Sequence, residues 1–86
     1  MQVEAQHSIP FFPHVLQVGD VLVLRYRELN VVKRKYLVLS TSEKPDAPPR
    51  AFCVVLYADR YVSPGDSMWI DLECMPLEMC LIERRR

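Results

Sequence analysis

GDVLVLRYRELNVVKRKYLVLS, residues Gly19–Ser40, sets two aliphatic runs on either side of a strongly basic segment. In the first run Leu22, Leu24 and Tyr26 fall on one face and Arg25 and Arg27 on the other, the alternation of a half-buried strand. That pattern predicts a strand from Val21 to Glu28. The second run predicts a strand from Tyr36 to Thr41, with Leu37 and Leu39 inward. ELNVVKRK then reads as a long hairpin tip that carries Lys33, Arg34 and Lys35 in a row.

Outward from this pair, glycine and proline punctuate the chain. Only two glycines occur, Gly19 and Gly65, each before an aspartate, whereas seven prolines fall between apolar runs. SEKPDAPPR reads as an extended polar loop. Ala51–Ala58 (AFCVVLYA) is apolar on both faces, as expected of a strand covered on both sides. Ser63-Pro64-Gly65-Asp66 has the chemistry of a type II turn. Met68, Ile70 and Leu72 alternate with Trp69, Asp71 and Glu73, and PLEMCLIE supplies a last strand that begins at Pro76.

Five short strands without a helix predict an all-β domain, a small five-stranded SH3-like barrel, with the OB-fold as the nearest alternative. Residues 1–17 read as an N-terminal Pro/Phe arm and residues 18–86 as the barrel. The expected core is Leu22, Leu24, Leu37, Leu39, Val54, Leu56, Ile70 and Ile82.

Eighty-six residues make one domain, and a chain of this length buries about 60–65% of the surface its unfolded form exposes. Half of the residues are hydrophobic, a surplus that points to a partner surface or a homodimer through Ala51–Ala58 or the arm. No run reaches the roughly 20 apolar residues of a spanning helix, and MQVEAQHSIP does not read as a signal peptide. The expectation is a soluble protein with no membrane contact. Eleven basic residues balance 11 acidic ones, so no overall field recruits nucleic acid. Cys53, Cys74 and Cys80 lack a C-x-x-C spacing and read as free thiols in a cytoplasmic setting, without metal or cofactor.

The candidate partner-binding residues fall in three groups. Arg25, Arg27, Lys33, Arg34 and Lys35 make a positive ridge for phosphates if they act together; otherwise they are the solvated end of a hairpin, where charge also blocks edge-to-edge pairing. Trp69, with Tyr36, Tyr57 and Tyr61, offers rings that stack bases or anchor a peptide, or that cap the barrel. Phe11 and Phe12, bracketed by Pro10 and Pro13, latch onto a groove of the same molecule or of a neighbour. Catalysis has little footing: no serine has a histidine and carboxylate in one motif, and no cysteine sits in an electropositive setting.

LQVGDVLVL, KYLVLS, AFCVVLYADRYV and LEMCLIERR together resemble the small SH3-like proteins encoded by bacteriophages and other mobile elements. That resemblance implies a non-catalytic binding module, an accessory or regulatory protein acting on a host protein. Gly19-Asp20-Val21, Arg34 and Leu37-Val38-Leu39-Ser40 also resemble the MazF/PemK toxin endoribonucleases, whose arginine before the second strand falls on Arg34. The chain departs from that family where Lys35-Tyr36 replaces a proline. The sequence therefore points first to a binding module for another protein, then to a nucleic-acid-binding barrel, and third to a MazF-like endoribonuclease.

Overall fold

The aliphatic run after Asp20 is a strand, but it ends at Arg25, and its partner starts early, at Val32. The computed structural model describes residues 6–27 and 31–85. Glu28 and the Leu29–Asn30 part of the expected tip therefore lie outside the described residues. Among the described residues the strands are β1 (Gln6–Pro10), β2 (Val21–Arg25), β3 (Val32–Lys44), β4 (Ala47–Ala58), β5 (Ser67–Asp71) and β6 (Cys80–Arg85). They form one antiparallel sheet of order β1-β6-β2-β3-β4-β5. Two 3-10 turns, Leu72–Cys74 and Leu77–Met79, lead from β5 to β6. The protein is all-β, as its periodicity indicates. Among the described residues no ladder joins β1 to β5, so hydrogen bonding does not close the sheet.

Three expected boundaries shift for one reason, that backbone pairing outranks local polarity. Lys33, Arg34 and Lys35 lie inside β3, because Arg34 pairs with Leu24 on one side and with Ala58 on the other. The SEKPDAPPR segment is a hairpin, with Lys44 opposite Ala47 and Pro45-Asp46 at the bend. Pro48 and Pro49 fit within β4 because they fall at a register shift, beyond the reach of β5, whose ladder starts at Arg50 opposite Asp71. Pro76 precedes a 3-10 turn, and the last strand starts at Cys80. The Ser63–Asp66 turn is as expected: Gly65 has φ +96°, and the Asp66 N–H donates to Ser63 O at 3.0 Å.

The core lies on one side of the curled sheet. Leu22 and Ile82, opposite each other across β2 and β6, are fully buried, and Leu24 is buried beside them. On the two central strands the buried phase is the other one. Tyr36, Val38, Cys53 and Val55 face the core, while Leu37 and Val54 are only half-buried and Leu39 and Leu56 are each 46% exposed. Both phases of KYLVLS and of FCVVLY are apolar, so alternation alone cannot select between them. Ile70 and Met68 pack against the core from β5, and Leu72 enters it from the first 3-10 turn.

The N-terminal arm contributes to this core. β1 runs along β6, with Ile9 opposite Ile82, and the chain then drops Phe11 and Leu16 into the cluster. Phe11 is 1% exposed and Phe12 is 52% exposed, so adjacent rings have different fates. Phe11→Ala should lower the unfolding free energy by about 3–5 kcal/mol, whereas Phe12→Ala should change it by no more than about 0.5 kcal/mol. Urea unfolding followed by circular dichroism measures both.

Candidate functional site

The tight turn ahead of β2 is the most densely bonded part of the chain. Gly19 takes φ +93°, a left-handed conformation that glycine adopts without penalty. The Gly19 N–H donates to Val38 O and the Val38 N–H to Asp20 O, each at 2.9 Å. Asp20 itself is buried, and its carboxylate accepts three hydrogen bonds. The Gln17 N–H donates to Oδ2 at 2.8 Å, Arg84 Nε to Oδ1 at 2.9 Å and Arg84 Nη2 to Oδ2 at 2.8 Å. Arg84 Nη2 also donates to Val15 O at 2.8 Å. One guanidinium thus ties the arm, the turn and β6 together. The sequence signal for this clamp was a lone acid at the head of an aliphatic run, and Arg84 was masked by its place in a basic tail. Asp20→Asn should lower the urea midpoint more than Glu78→Gln, which loosens the exposed Arg27–Glu78 pair at 2.7 Å.

The five basic candidates do not form one ridge. Lys33 and Lys35 alternate with Arg34 along β3, so they project from opposite faces. Lys33 Nζ lies 5.6 Å from the Tyr26 ring centroid. Lys35 Nζ is 3.8 Å from Glu83 Oε1, and Arg27 Nη2 donates to Glu78. Arg34 Nη1 donates to the Tyr36 hydroxyl at 3.1 Å, while its Nε is buried with no partner among the described residues. Arg25 sits where the β2–β3 register shifts, close enough to Cys80 to oppose the burial that raises that thiol. Tyr26 donates its hydroxyl proton to Asp59.

The aromatic candidates separate in the same way. Phe11 is committed to the core and is not available at the surface. Trp69 is 48% exposed and stands opposite Phe52 across β4 and β5. The two ring centroids are 5.3 Å apart at an interplanar angle of 54°, and the Arg50 guanidinium lies 5.1 Å from the Trp69 ring. Phe52 and Arg50, two apart on β4, therefore flank the indole and hold it upright. Tyr36 is buried, contrary to its expected outward aspect, whereas Tyr57 and Tyr61 are exposed. Tyr61 takes φ +74° in the bend after β4.

All three cysteine thiols are raised above the ordinary range. Burial pushes the Cys53 and Cys80 thiols up to about 11. The neighbouring Asp71 carboxylate raises Cys74, by its charge first and by a side-chain hydrogen bond second. All three cysteines are free. His14, on the arm, is exposed and lies 3.6 Å from Glu43. It lines an open groove of about 450 Å³ that runs between the arm and the β3–β4 hairpin past Pro45, Pro49 and Glu73. No group of three or more potential metal-ligating side chains occurs among the described residues, and none of their helices is long and apolar enough to cross a membrane.

Compared with protein-family models, with curated proteins and with solved structures, the chain matches none.

At pH 8 a thiol reagent should label Cys74 in the folded protein and reach Cys53 and Cys80 only after denaturation. Both buried values lie above the 9.0 of an ordinary thiol. Their contribution to stability is therefore full below about pH 9 and lost as pH rises through about 11. Thermal melts across that range measure the loss.

Proposed function

We propose that this chain is a non-catalytic protein-binding module with an SH3-like arrangement. The fold reading is supported by a four-strand meander, β2 to β5, followed by 3-10 turns and a β6 that returns to pair with β2. The functional reading rests on a single observation, the half-exposed Trp69 held between Arg50 and Phe52 at the β4–β5 edge. An indole fixed in this way loses little freedom on binding and buries a large area, the properties of an interface anchor.

Charge supports a protein target over nucleic acid. The chain is neutral. Lys33, Lys35 and Arg27 are each engaged by a ring or a carboxylate of the same molecule, so releasing them for phosphate would sacrifice existing contacts. The raised thiols support a role without catalysis. One observation favours a second reading as a nucleic-acid binder or a MazF-like ribonuclease: Arg34 donates from Nη1 to the Tyr36 hydroxyl while its Nε has no partner among the described residues, and a guanidinium with an unused N–H suits a phosphate oxygen.

Affinity capture from lysate, with and without nuclease, separates the two. The protein-binding reading expects nuclease-resistant capture of a protein, weakened at least ~10-fold by Trp69→Ala and unaffected by Lys33→Ala. Capture of nucleic acid alone, lost in Arg34→Ala and suppressed by salt, would reverse the preference, as would cleavage of added RNA.

A further inference from the structure

The face of the sheet turned away from the core is itself apolar. Val21, Leu37 and Val54 form one continuous cross-strand row over β2, β3 and β4. Beside this row stand Leu39 and Leu56, each 46% exposed. Both occupy register shifts: Leu39 is skipped between Val38 and Ser40, and Leu56 between the Tyr36–Val55 and Lys35–Tyr57 pairs. A residue left out of the ladder bends its strand and re-aims its side chain. The two leucines are therefore protrusions on an otherwise regular face.

A hollow adjoins the Val21–Leu37 end of the row. A depression of about 280 Å³ is lined by Gly19, Val21, Leu37, Glu83 and Arg85. The space at Gly19 is open, since a Cβ built there would meet no atom within 4 Å. Knobs and hollow thus share one face of the sheet. The bordering charges carry both signs, with Lys35 and Glu83 paired at 3.8 Å across β2 and Arg85 on the wall of the hollow.

We infer that this β2–β3–β4 face is a self-association surface that seats a second copy of the chain. A two-fold axis brings a patch against itself, so the patch must be complementary to its own image. Protrusions beside a hollow satisfy that condition in shape. A Lys–Glu pair satisfies it in charge, because each sign meets the other when the patch is rotated. Two aliphatic sheet faces pack at about 10 Å with their strands within about 30° of alignment, as the layers of a β-sandwich do. A chain of zero net charge meets no long-range repulsion from its copy.

Sedimentation equilibrium over a micromolar concentration series tests the assignment. The wild type should behave as a reversible dimer, and Leu39→Glu and Leu56→Glu should each raise its dissociation constant at least ~10-fold while keeping the β-sheet circular dichroism spectrum. Leu77, 49% exposed on the connection from β5 to β6, is the control: Leu77→Glu should leave the dimer intact. A wild type that stays monomeric throughout the series overturns the inference. So does a dimer that survives both leucine substitutions or is dissociated by Leu77→Glu.

Discussion

A carboxylate buried at the head of β2 governs how the chain closes on itself. Removing Asp20 from water is costly unless its charge is matched and its oxygens are bonded. The match comes from Arg84, 64 residues away, whose guanidinium meets both oxygens and still reaches Val15 O. That requirement draws the last strand against β2, so β6 lies between β1 and β2. It also fixes the turn that presents Asp20 O and the Gly19 N–H to Val38. Arm, β2, β3 and β6 all meet at this joint, which holds the segment that places Phe11 and Leu16 in the core.

How much of this was legible depends on whether the decisive information is local. The Ser63–Asp66 turn was readable because proline and glycine impose their own dihedral angles. Leu24 and Ile82 were readable because a charged residue follows each, and Leu22 because it shares the phase of Leu24. Leu37 and Leu39 were misassigned to the core because Tyr36 and Val38 compete for it with equal hydrophobicity, and only tertiary cover decides. The basic triplet was read as part of a hairpin tip because charge obscured a strand whose ladders come from both sides. Phe11 and Phe12 have the same composition and neighbours, so nothing in the sequence distinguishes the buried ring from the exposed one.

The candidate site was legible in its parts and not in its arrangement. Trp69 stood out as the one tryptophan, but Arg50 and Phe52, which hold it, were hidden in segments read as loop and as undifferentiated apolar strand. Basic residues that cluster in sequence disperse in space, because a strand sends neighbours to opposite faces. The same geometry accounts for the exposed leucines. Once Tyr36 and Val38 are committed inward, their neighbours on β3 have nowhere to go but out.

The irregularities between β3 and β4 gain a further meaning in this light. Register shifts occur at Lys35/Tyr36, Val38/Ser40 and Ser42/Lys44. With both phases of these strands apolar, sliding one strand by a residue would exchange one oily face for another at little hydrophobic penalty. A perfectly regular ribbon would therefore be ambiguous, with two nearly degenerate ways round. The bulges act as keying notches: each mispaired position fits its partner at one offset only. During folding they remove the inverted hairpin as a competing basin, and they do so through the backbone, where side-chain chemistry offers no discrimination.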